Sequence, residues 1–328
     1  MKNILLSIII PVYKVELYIR EFLDSIYTDA NANLPFEVIV VDDGTPDNSM
    51  LIVEEFADKY ENLKVCYQQN QGCGSARNTG LDVAEGLFVW NVDSDDWIES
   101  WAIHRILDLI KKESTLDIIA VPFTWTYPDE TKNWIDLKLA HDMLMTGIDY
   151  QNSGFQIATS QFVVKRSLLS LNNIRFASHI LHEDALWGGE ILYLAKKVFV
   201  LSQPQLRYRQ RIDCSIMHNI RIKNGYDIIK IHQYLMNFMN HYVREEDKIW
   251  FQKNHILKFQ EAIHLLWRFH KTREFKKFIA DTKQYRHKQC DICSKLGDFR
   301  WWMKCKMMKY PVLNERLRLW KKYFLIKR

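Results

Sequence analysis

The sequence has no long apolar run and few cysteines. No uninterrupted apolar segment approaches the roughly 20 residues that a membrane-spanning helix requires. The six cysteines among 328 residues are too sparse for a disulfide scaffold, so we expect free thiols, as in a cytosolic protein. The sequence therefore predicts neither an integral membrane protein nor a small disulfide-rich secreted protein.

Two other patterns are incomplete. The apolar start of the chain resembles a signal peptide, but Pro11 ends the run early and no small-residue cleavage site follows. We expect this segment to form the first strand. Cys290 and Cys293 have the spacing of a zinc-binding pair with His287 nearby, but no second pair follows, so we do not predict a zinc site.

The sequence does have enough apolar residues for a large core, and its charge is uneven. Hydrophobic residues make up 48% and charged residues 26%, which is typical of folded domains. Residues 221–328 contain 26 Lys and Arg against 10 Asp and Glu, whereas residues 1–220 contain 19 against 30. The net negative charge of residues 1–220 suits the binding of a cation, and the net positive charge of residues 221–328 attracts anions.

The first 121 residues alternate strand patterns with helix patterns. The predicted strands are Leu6–Ile10, Val38–Val41, Leu63–Tyr67, Leu87–Val92 and Ile118–Val121. The predicted helices are Glu16–Tyr27, Asn48–Lys59, Gly74–Ala84 and Ser100–Lys111. This order is typical of βαβ units, and it predicts an α/β fold with a mostly parallel sheet flanked by helices.

The rest of the chain is less regular. Residues 122–160 lose the alternation, and we expect a variable excursion over the sheet. Order returns at Gln161–Lys165. Later strands are predicted at Val198–Leu201 and Leu206–Arg211, and helices at Ser167–Leu171 and His182–Leu194. A basic, mainly helical region should follow, with helices at Tyr226–Tyr242, Asp247–His270 and Phe275–Tyr285 and a Trp-rich tail. We predict two domains, residues 1–220 and 221–328.

Three carboxylates follow a strand of the predicted sheet. Asp93, Asp95 and Asp96 come directly after the apolar run Leu87–Val92, and open α/β sheets bind ligands at the carboxyl ends of their strands. Like charges this close need a cation or a hydrogen-bonded ligand. A divalent ion held by one or two carboxylates and by substrate phosphate would meet that need. An ordinary acidic turn that caps the helix near Ser100 is the alternative.

Polar and aromatic residues also end the first two predicted strands. Pro11 and Tyr13 have the shapes to line a slot for a planar base, and Asp42 can accept a hydrogen bond from a base N–H. The alternative is turn chemistry, in which Asn48 or Ser49 simply caps the next helix.

A glycine-containing loop, residues 70–80, runs into the third predicted helix. Glycines permit close backbone approach, and a helix start favours anions. The Lys-Ser/Thr ending of a P-loop is missing. Arg77 either points a positive charge at a nucleotide or pairs with the Asp93 cluster.

The order and spacing of these motifs resemble the donor-binding half of the family-2 inverting glycosyltransferases, which have the GT-A fold. The resemblance is to the bacterial surface-polysaccharide type and covers roughly residues 5–215. It implies a UDP-sugar donor and Mn²⁺ or Mg²⁺ on a D-x-D motif. By position, it assigns Asp95 to the metal, Asp93 to the ribose or the metal, Asp42 and Arg77 to the base, and Pro11 and Tyr13 to the slot around the base.

Two later segments extend the resemblance. Glu183 and Asp184 match the family's Glu-Asp pair at the head of a helix, which implies that Asp184 is the general base and that Glu183 positions it or binds the acceptor. A first-turn role favoured by the helix dipole is the alternative. Arg209 and Arg211 match a late segment that lies near the diphosphate, where arginine suits phosphate. The alternative for them is an exposed basic edge strand.

The resemblance implies transfer of a hexose or N-acetylhexosamine from a UDP-sugar to a hydroxyl of a glycan or lipid-linked oligosaccharide, during surface polysaccharide assembly. We expect a cytoplasmic enzyme. Its basic, Trp-rich region either packs on the catalytic domain or on a second subunit in a homodimer, or contacts the inner face of the cell membrane peripherally. We expect no nucleic-acid partner.

Other functions fit the sequence less well. A sugar nucleotidyltransferase also uses carboxylate-bound metal, but it needs a Gly-rich loop after strand one, and Pro11–Lys14 contains no glycine. A glycosidase uses two carboxylates and has no need of a nucleotide slot. An inactive nucleotide- or membrane-binding module is the non-enzymatic alternative, although no group needed for turnover is missing.

Overall fold

The structure, a computed structural model, describes residues 4–127, 134–135, 140–155, 157–210, 220–256, 262–263 and 265–288. The chain divides into two units, Met1–Asp213 and Cys214–Arg328. The described part of the first unit contains the β-strands, and that of the second is helical.

An eight-stranded sheet organises the first unit. Its strands are β1 (Leu6–Val12), β2 (Phe36–Asp42), β3 (Leu63–Tyr67), β4 (Phe88–Asn91), β6 (Ile118–Ala120), β9 (Met143–Met145), β10 (Phe162–Lys165) and β11 (Val198–Val200). They lie in the order β3-β2-β1-β4-β10-β6-β11-β9. Strands β1 to β4 are parallel, whereas β10 and β9 run antiparallel to their neighbours. The predicted mostly parallel sheet is confirmed.

Four short strands form a second sheet. They are β5 (Trp97–Ile98), β7 (Phe123–Thr126), β8 (Trp134–Ile135) and β12 (Leu206–Arg209), in the order β5-β12-β7-β8. The predicted excursion at residues 122–160 contains β7, β8 and β9, which the sequence analysis did not predict. Strands of two to four residues are too short for their apolar alternation to show in the sequence.

Helices cover both faces of the large sheet. They are α1 (Ile19–Ile26), α2 (Ser49–Lys59), α3 (Cys73–Val83), α4 (Ala102–Lys112), α5 (Gly147–Asn152), α6 (Arg166–Leu171) and α7 (Glu183–Leu194). Helices α1, α2 and α4 pack on the face that contains Ile8 and Ile10, and the other four pack on the face that contains Ile9. This division follows from the alternation of side chains along β1. Burial on both faces explains why the strands are apolar at nearly every position.

The described part of the second unit contains α8 (Ile222–Tyr242), α9 (Lys248–Phe251) and α10 (Arg273–Asp281). Ile263, Leu266, Phe275 and Phe278 form its apolar core with residues of α8. The prediction of one helix over Asp247–His270 was wrong, because Gln252–Ile256 is π-helical and Trp267–Phe269 is a 3₁₀ turn. Apolar spacing over so long a segment cannot distinguish these helix types. No helix in the described ranges is both long and apolar enough to span a bilayer.

Candidate active site

The carboxyl ends of β1, β2 and β4 meet at one edge of the large sheet, because these strands are parallel. Pro11 is buried within β1 opposite Val41. Tyr13 follows β1 and is 42% exposed, and the Lys14 ammonium lies 5.3 Å from the centre of its ring. The Tyr13 ring is therefore accessible at this edge, whereas Pro11 is not exposed.

Asp42 and Asp43 are adjacent but make different contacts. Asp42 is half-buried at the end of β2, and its Oδ1 accepts a hydrogen bond from the Thr45 N–H at 2.8 Å. Asp43 is only 3% exposed. Its carboxylate accepts hydrogen bonds from the Gln68 side chain at 2.7 Å and from the N–H groups of Gln71 and Gly72 at 2.8 and 2.9 Å. Asp43 therefore holds the loop before α3, a role that the sequence analysis missed.

The contacts of Asp43 also bear on the predicted anion site at the start of α3. The N–H groups of Gln71 and Gly72 point at this carboxylate, so the protein itself supplies the anion there. Asn48 occupies the N-cap position of α2. The Asn48 side chain makes no capping bond, and Ser49 donates its hydroxyl to Asp47 at 2.6 Å.

Asp93, Asp95 and Asp96 lie in a turn between β4 and β5, closed by a bond from the Asp96 N–H to the Asp93 carbonyl at 3.2 Å. They do not cap α4, whose first turn contains no acidic residue. Asp96 is 1% exposed, and its Oδ2 is buried without a partner among the described residues. Burial, and then the charges of Asp95 and Asp93, raise the pKa of Asp96 well above its usual range. Asp93 and Asp95 are half-exposed.

The turn is compatible with the divalent ion that the family resemblance implies. In the described ranges, no group of three or more His, Cys, Asp or Glu residues forms a complete metal cage. Mg²⁺ and similar ions that bind together with phosphate need only one or two protein carboxylates. Asp93 and Asp95 can supply these oxygens, because both are half-exposed at the turn whereas Asp96 is buried.

Arg77 joins this turn to the start of α7. It is 4% exposed, and it donates one hydrogen bond to Asp93 Oδ1 at 2.7 Å and another to Glu183 Oε1 at 2.5 Å. Its guanidinium lies 5.3 Å from the centre of the Phe176 ring. Of the two hypotheses for Arg77, the structure shows the pairing with the acidic cluster.

Close packing allows α3 to approach the segment before α7. A Cβ atom at Gly74 would lie 2.6 Å from the Ala177 carbonyl oxygen and 3.4 Å from Glu183 Cγ. The first distance is shorter than real contacts allow. Gly74 is therefore needed for the approach that places Arg77 beside Glu183.

Asp184 lies in the first turn of α7. The preceding His182 has a left-handed φ of 67°, which is uncommon for a residue other than glycine and frequent at functional sites. Asp184 Oδ1 accepts a hydrogen bond from the Ala185 N–H at 2.9 Å. Burial, and then the charge of Glu183, raise the pKa of Asp184, and His182 and Arg77 oppose this rise. A raised pKa suits a carboxylate that must accept a proton near neutral pH.

Arg209 contacts the acidic turn directly. Its N–H donates to Asp96 Oδ1 at 2.9 Å and its Nε to the Asp95 carbonyl oxygen at 2.8 Å. The edge-strand hypothesis was wrong, since β12 lies between β5 and β7. Arg211 lies outside the described residues.

The sequence analysis missed several residues that shape this site. Phe176 lies beneath Arg77, and Glu21, Tyr18 and Trp97 surround the Arg209 side chain. Phe176, Glu21 and Tyr18 belong to no motif and are distant in sequence from their partners, whereas Trp97 directly follows Asp96. Only Asp43 had a visible signal, because it is one of two consecutive acids after an apolar strand.

Comparisons with known proteins agree with this architecture. The family model of Glycosyl transferase family 2 matches residues 7–169. An uncharacterized glycosyltransferase, YibD of Escherichia coli (strain K12), is 27% identical over 73% of this chain and 68% of its own length. The minor teichoic acid biosynthesis protein GgaB of Bacillus subtilis (strain 168) is 29% identical over 74% of this chain, but this match spans only 29% of GgaB.

A solved structure has the same fold. Residues 1–349 of S. aureus TarS, crystallised with UDP-GlcNAc, superpose with a TM-score of 0.65 and 24% identity. The alignment covers 88% of this chain and 81% of the TarS chain. The likeness supports a GT-A fold for this chain, as the sequence analysis predicted.

Proposed function

Because the chain belongs to glycosyl transferase family 2, we propose that it transfers a hexose or N-acetylhexosamine, with inversion, from a UDP-sugar to a hydroxyl of a cell-surface polymer. The observation that carries this proposal is the bridge through Arg77, which contacts Asp93 on one side and Glu183 on the other. The bridge brings the acids after β4 and the first turn of α7 to one site, as transfer between a donor and an acceptor requires.

The donor nucleotide is proposed to lie at the ends of β1 and β2. The exposed ring of Tyr13 offers a face for a planar base, and the strand backbone at Pro11 shapes the slot beneath it. Asp42 retains carboxylate lone pairs beyond the one that accepts from Thr45, so it can also accept a base N–H. The TarS structure with bound UDP-GlcNAc supports a UDP-linked donor.

The metal is proposed to be Mn²⁺ or Mg²⁺, held by Asp95 with help from Asp93. When bound, the ion stabilises the negative charge of the departing diphosphate. Asp93 already accepts one hydrogen bond from Arg77 through Oδ1, which fixes its orientation. Asp96 is buried and therefore positions the turn.

Asp184 is proposed to be the general base. It accepts the proton of the acceptor hydroxyl while the oxygen forms a bond to the anomeric carbon and the bond from that carbon to the diphosphate breaks. Attack on the face opposite the diphosphate inverts the anomeric centre. Glu183 is committed to Arg77, so it orients the turn that carries Asp184.

The acceptor is proposed to be a glycan or a teichoic-acid-type polymer. The named role of GgaB in teichoic acid biosynthesis supports this class of acceptor. Peripheral membrane contact by the basic region and a homodimer both stay predictions, and the Trp-rich tail lies outside the described residues.

A panel of UDP-sugars tests the proposal. The protein is mixed with Mn²⁺, each UDP-sugar and a cell-surface polymer acceptor, and the products are identified by mass spectrometry. We expect release of UDP together with a polymer that is heavier by one or more sugar residues. A parallel reaction contains UTP and a sugar 1-phosphate in place of the UDP-sugar. Release of pyrophosphate there, with no sugar transfer from any UDP-sugar, would instead identify a nucleotidyltransferase.

A further inference from the structure

Arg209 fixes the Asp93–Asp96 turn through both its backbone and its side chain. The backbone N–H holds the buried carboxylate of Asp96 at 2.9 Å, and Nε holds the carbonyl oxygen of Asp95 at 2.8 Å. One residue of β12 therefore restrains two consecutive residues of the turn, including the backbone of the proposed metal ligand.

The guanidinium of Arg209 is itself held on three sides. Nη2 donates to Glu21 Oε2 at 2.5 Å, and the centre of the guanidinium lies 4.4 Å from the Trp97 ring and 5.1 Å from the Tyr18 ring. Charge-assisted hydrogen bonds and cation–π contacts both favour a single orientation. Glu21 lies in α1, Tyr18 precedes that helix, and Trp97 begins β5, so separate parts of the first unit fix this side chain.

We propose that Arg209 is a positioning residue that preorganises the Asp93–Asp96 turn for the cation and the donor, and is not a ligand of the diphosphate. This inference rests on the proposed metal-dependent function. Arginine binds phosphate most strongly through two parallel N–H donors, and the Nε–Nη2 edge of Arg209 already holds the Asp95 carbonyl oxygen and Glu21. We call the two bonds from Arg209 to the turn, to Asp96 Oδ1 and to the Asp95 carbonyl oxygen, the brace. The second bond is donated by Nε, a donor that lysine lacks.

The two roles predict different binding behaviour. When a turn adopts its competent conformation only part of the time, the apparent affinity for its ligand falls by that fraction. Loss of the brace should therefore raise the Mn²⁺ concentration needed for half-maximal UDP binding, and excess Mn²⁺ should restore binding. Loss of a direct diphosphate ligand should instead weaken UDP binding at every Mn²⁺ concentration and affect UMP less, because UMP lacks the second phosphate.

Calorimetric titration of UDP and UMP at a series of Mn²⁺ concentrations tests the inference. The variants are Arg209→Gln and Glu21→Gln, with Arg207→Gln as the matched control. Arg207 lies two residues before Arg209 on β12, and its Nε donates to Glu99 at 2.7 Å. Its guanidinium lies 5.8 Å from the Trp97 ring, so the control shares that ring with Arg209 but not the two bonds that Arg209 makes to the turn. Mn²⁺ binding without nucleotide, followed by electron paramagnetic resonance, supplies a readout independent of turnover.

We expect Arg209→Gln to raise the Mn²⁺ midpoint about tenfold or more, as the loss of charge-assisted hydrogen bonds implies. Glu21→Gln should raise it by a smaller factor, and the double variant should fall short of the product of the two effects because both act through one contact. Arg207→Gln should keep the wild-type midpoint. If Arg209→Gln fails to fold, Glu21→Gln alone tests the inference through its smaller expected rise in the Mn²⁺ midpoint.

Two results overturn the inference and can be told apart. If wild-type UDP binding depends on Mn²⁺ but the midpoint is unchanged in Arg209→Gln and Glu21→Gln, Arg209 is not a brace and the proposed function stands. If wild-type UDP binding ignores Mn²⁺, the proposed metal role fails, and this inference fails with it.

Discussion

The acids after β4 and the acids at the start of α7 are held by different means. The first group lies on a turn that Arg209 braces from a neighbouring strand. The second group begins a helix directly after His182, whose backbone is left-handed. In each group one carboxylate is committed to the protein itself, Asp96 to the Arg209 N–H and Glu183 to Arg77.

This difference suggests a division of labour. Arg209 holds the turn after β4 in place before a cation and a diphosphate enter, so this turn is suited to ligand binding. A carboxylate in the first turn of a helix is fixed by the backbone and favoured by the helix dipole, so Asp184 is suited to a reaction step that needs one geometry. Substitutions in the turn should therefore change binding, and a substitution of Asp184 should change the rate.

The largest effect should come from Asp184→Asn. Loss of the general base should lower kcat by about 10²–10⁴-fold, while the affinity for UDP stays close to the wild-type value, because the donor residues lie elsewhere. Initial-rate kinetics and calorimetry measure the two quantities. Asp108→Asn, which changes an exposed acid on α4, is the matched control. A variant of Asp184 that retains full transfer activity would remove it from the role of base.

Arg77→Met should have the next largest effect, because it breaks the link between the two groups. The substitution leaves Asp93 and Glu183 without their buried cation, which should cost about 3–5 kcal/mol of unfolding free energy and also weaken UDP binding. Arg175→Met is the control, since Arg175 pairs with Asp82 at an exposed position where loss of an ion pair costs about 1 kcal/mol or less. Chemical denaturation measures the unfolding free energy of both variants. Equal losses of unfolding free energy in the two variants would show that Arg77 does not link the two acidic groups.

A smaller effect is expected for Asp95→Ala. The affinity for UDP in the presence of Mn²⁺ should fall about tenfold or more, as loss of one charged ligand implies, and added Mn²⁺ should no longer strengthen UDP binding. Asp108→Ala provides the comparison. Isothermal titration with and without Mn²⁺ decides the point, and a Mn²⁺ response equal to that of the wild type would exclude Asp95 as the ligand.

The smallest effect should come from Glu190→Gln, on α7 away from its first turn. Burial raises the pKa of Glu190 to about 8, above the usual value near 4.3. The folded state therefore keeps a proton that the unfolded state loses, and the wild type loses stability as the pH rises from about 4.3 to 8. Glu190→Gln should gain about 1–3 kcal/mol at pH 8 and little at pH 4. Equal gains at both pH values in thermal unfolding would contradict this.

The sequence predicted the first unit well where its periodicity is strong. The first four predicted strands and helices end within three residues of the observed ones, because each is apolar or amphipathic over a full element. The sequence also predicted that Asp93 and Asp95 lie directly after β4, because they follow its apolar run. Most of the residues on which the family resemblance is based lie at the ends of these strands.

The sequence could not predict contacts between distant residues. The bond between Arg77 and Glu183 joins residues 106 positions apart, and that between Arg209 and Glu21 joins residues 188 apart. Neither partner lies in a pattern that specifies the other. The different roles of Asp42 and Asp43 also depend on the position of the Gln68–Gly72 loop, which only the folded chain defines.

The most direct test of a shared site is a crystal structure of the Asp184→Asn variant with Mn²⁺ and the UDP-sugar that the panel selects. The account predicts a diphosphate beside Asp95 and an anomeric carbon that faces the side chain at position 184, with room between them for an acceptor hydroxyl. A sugar that points into a cavity remote from position 184 would contradict it.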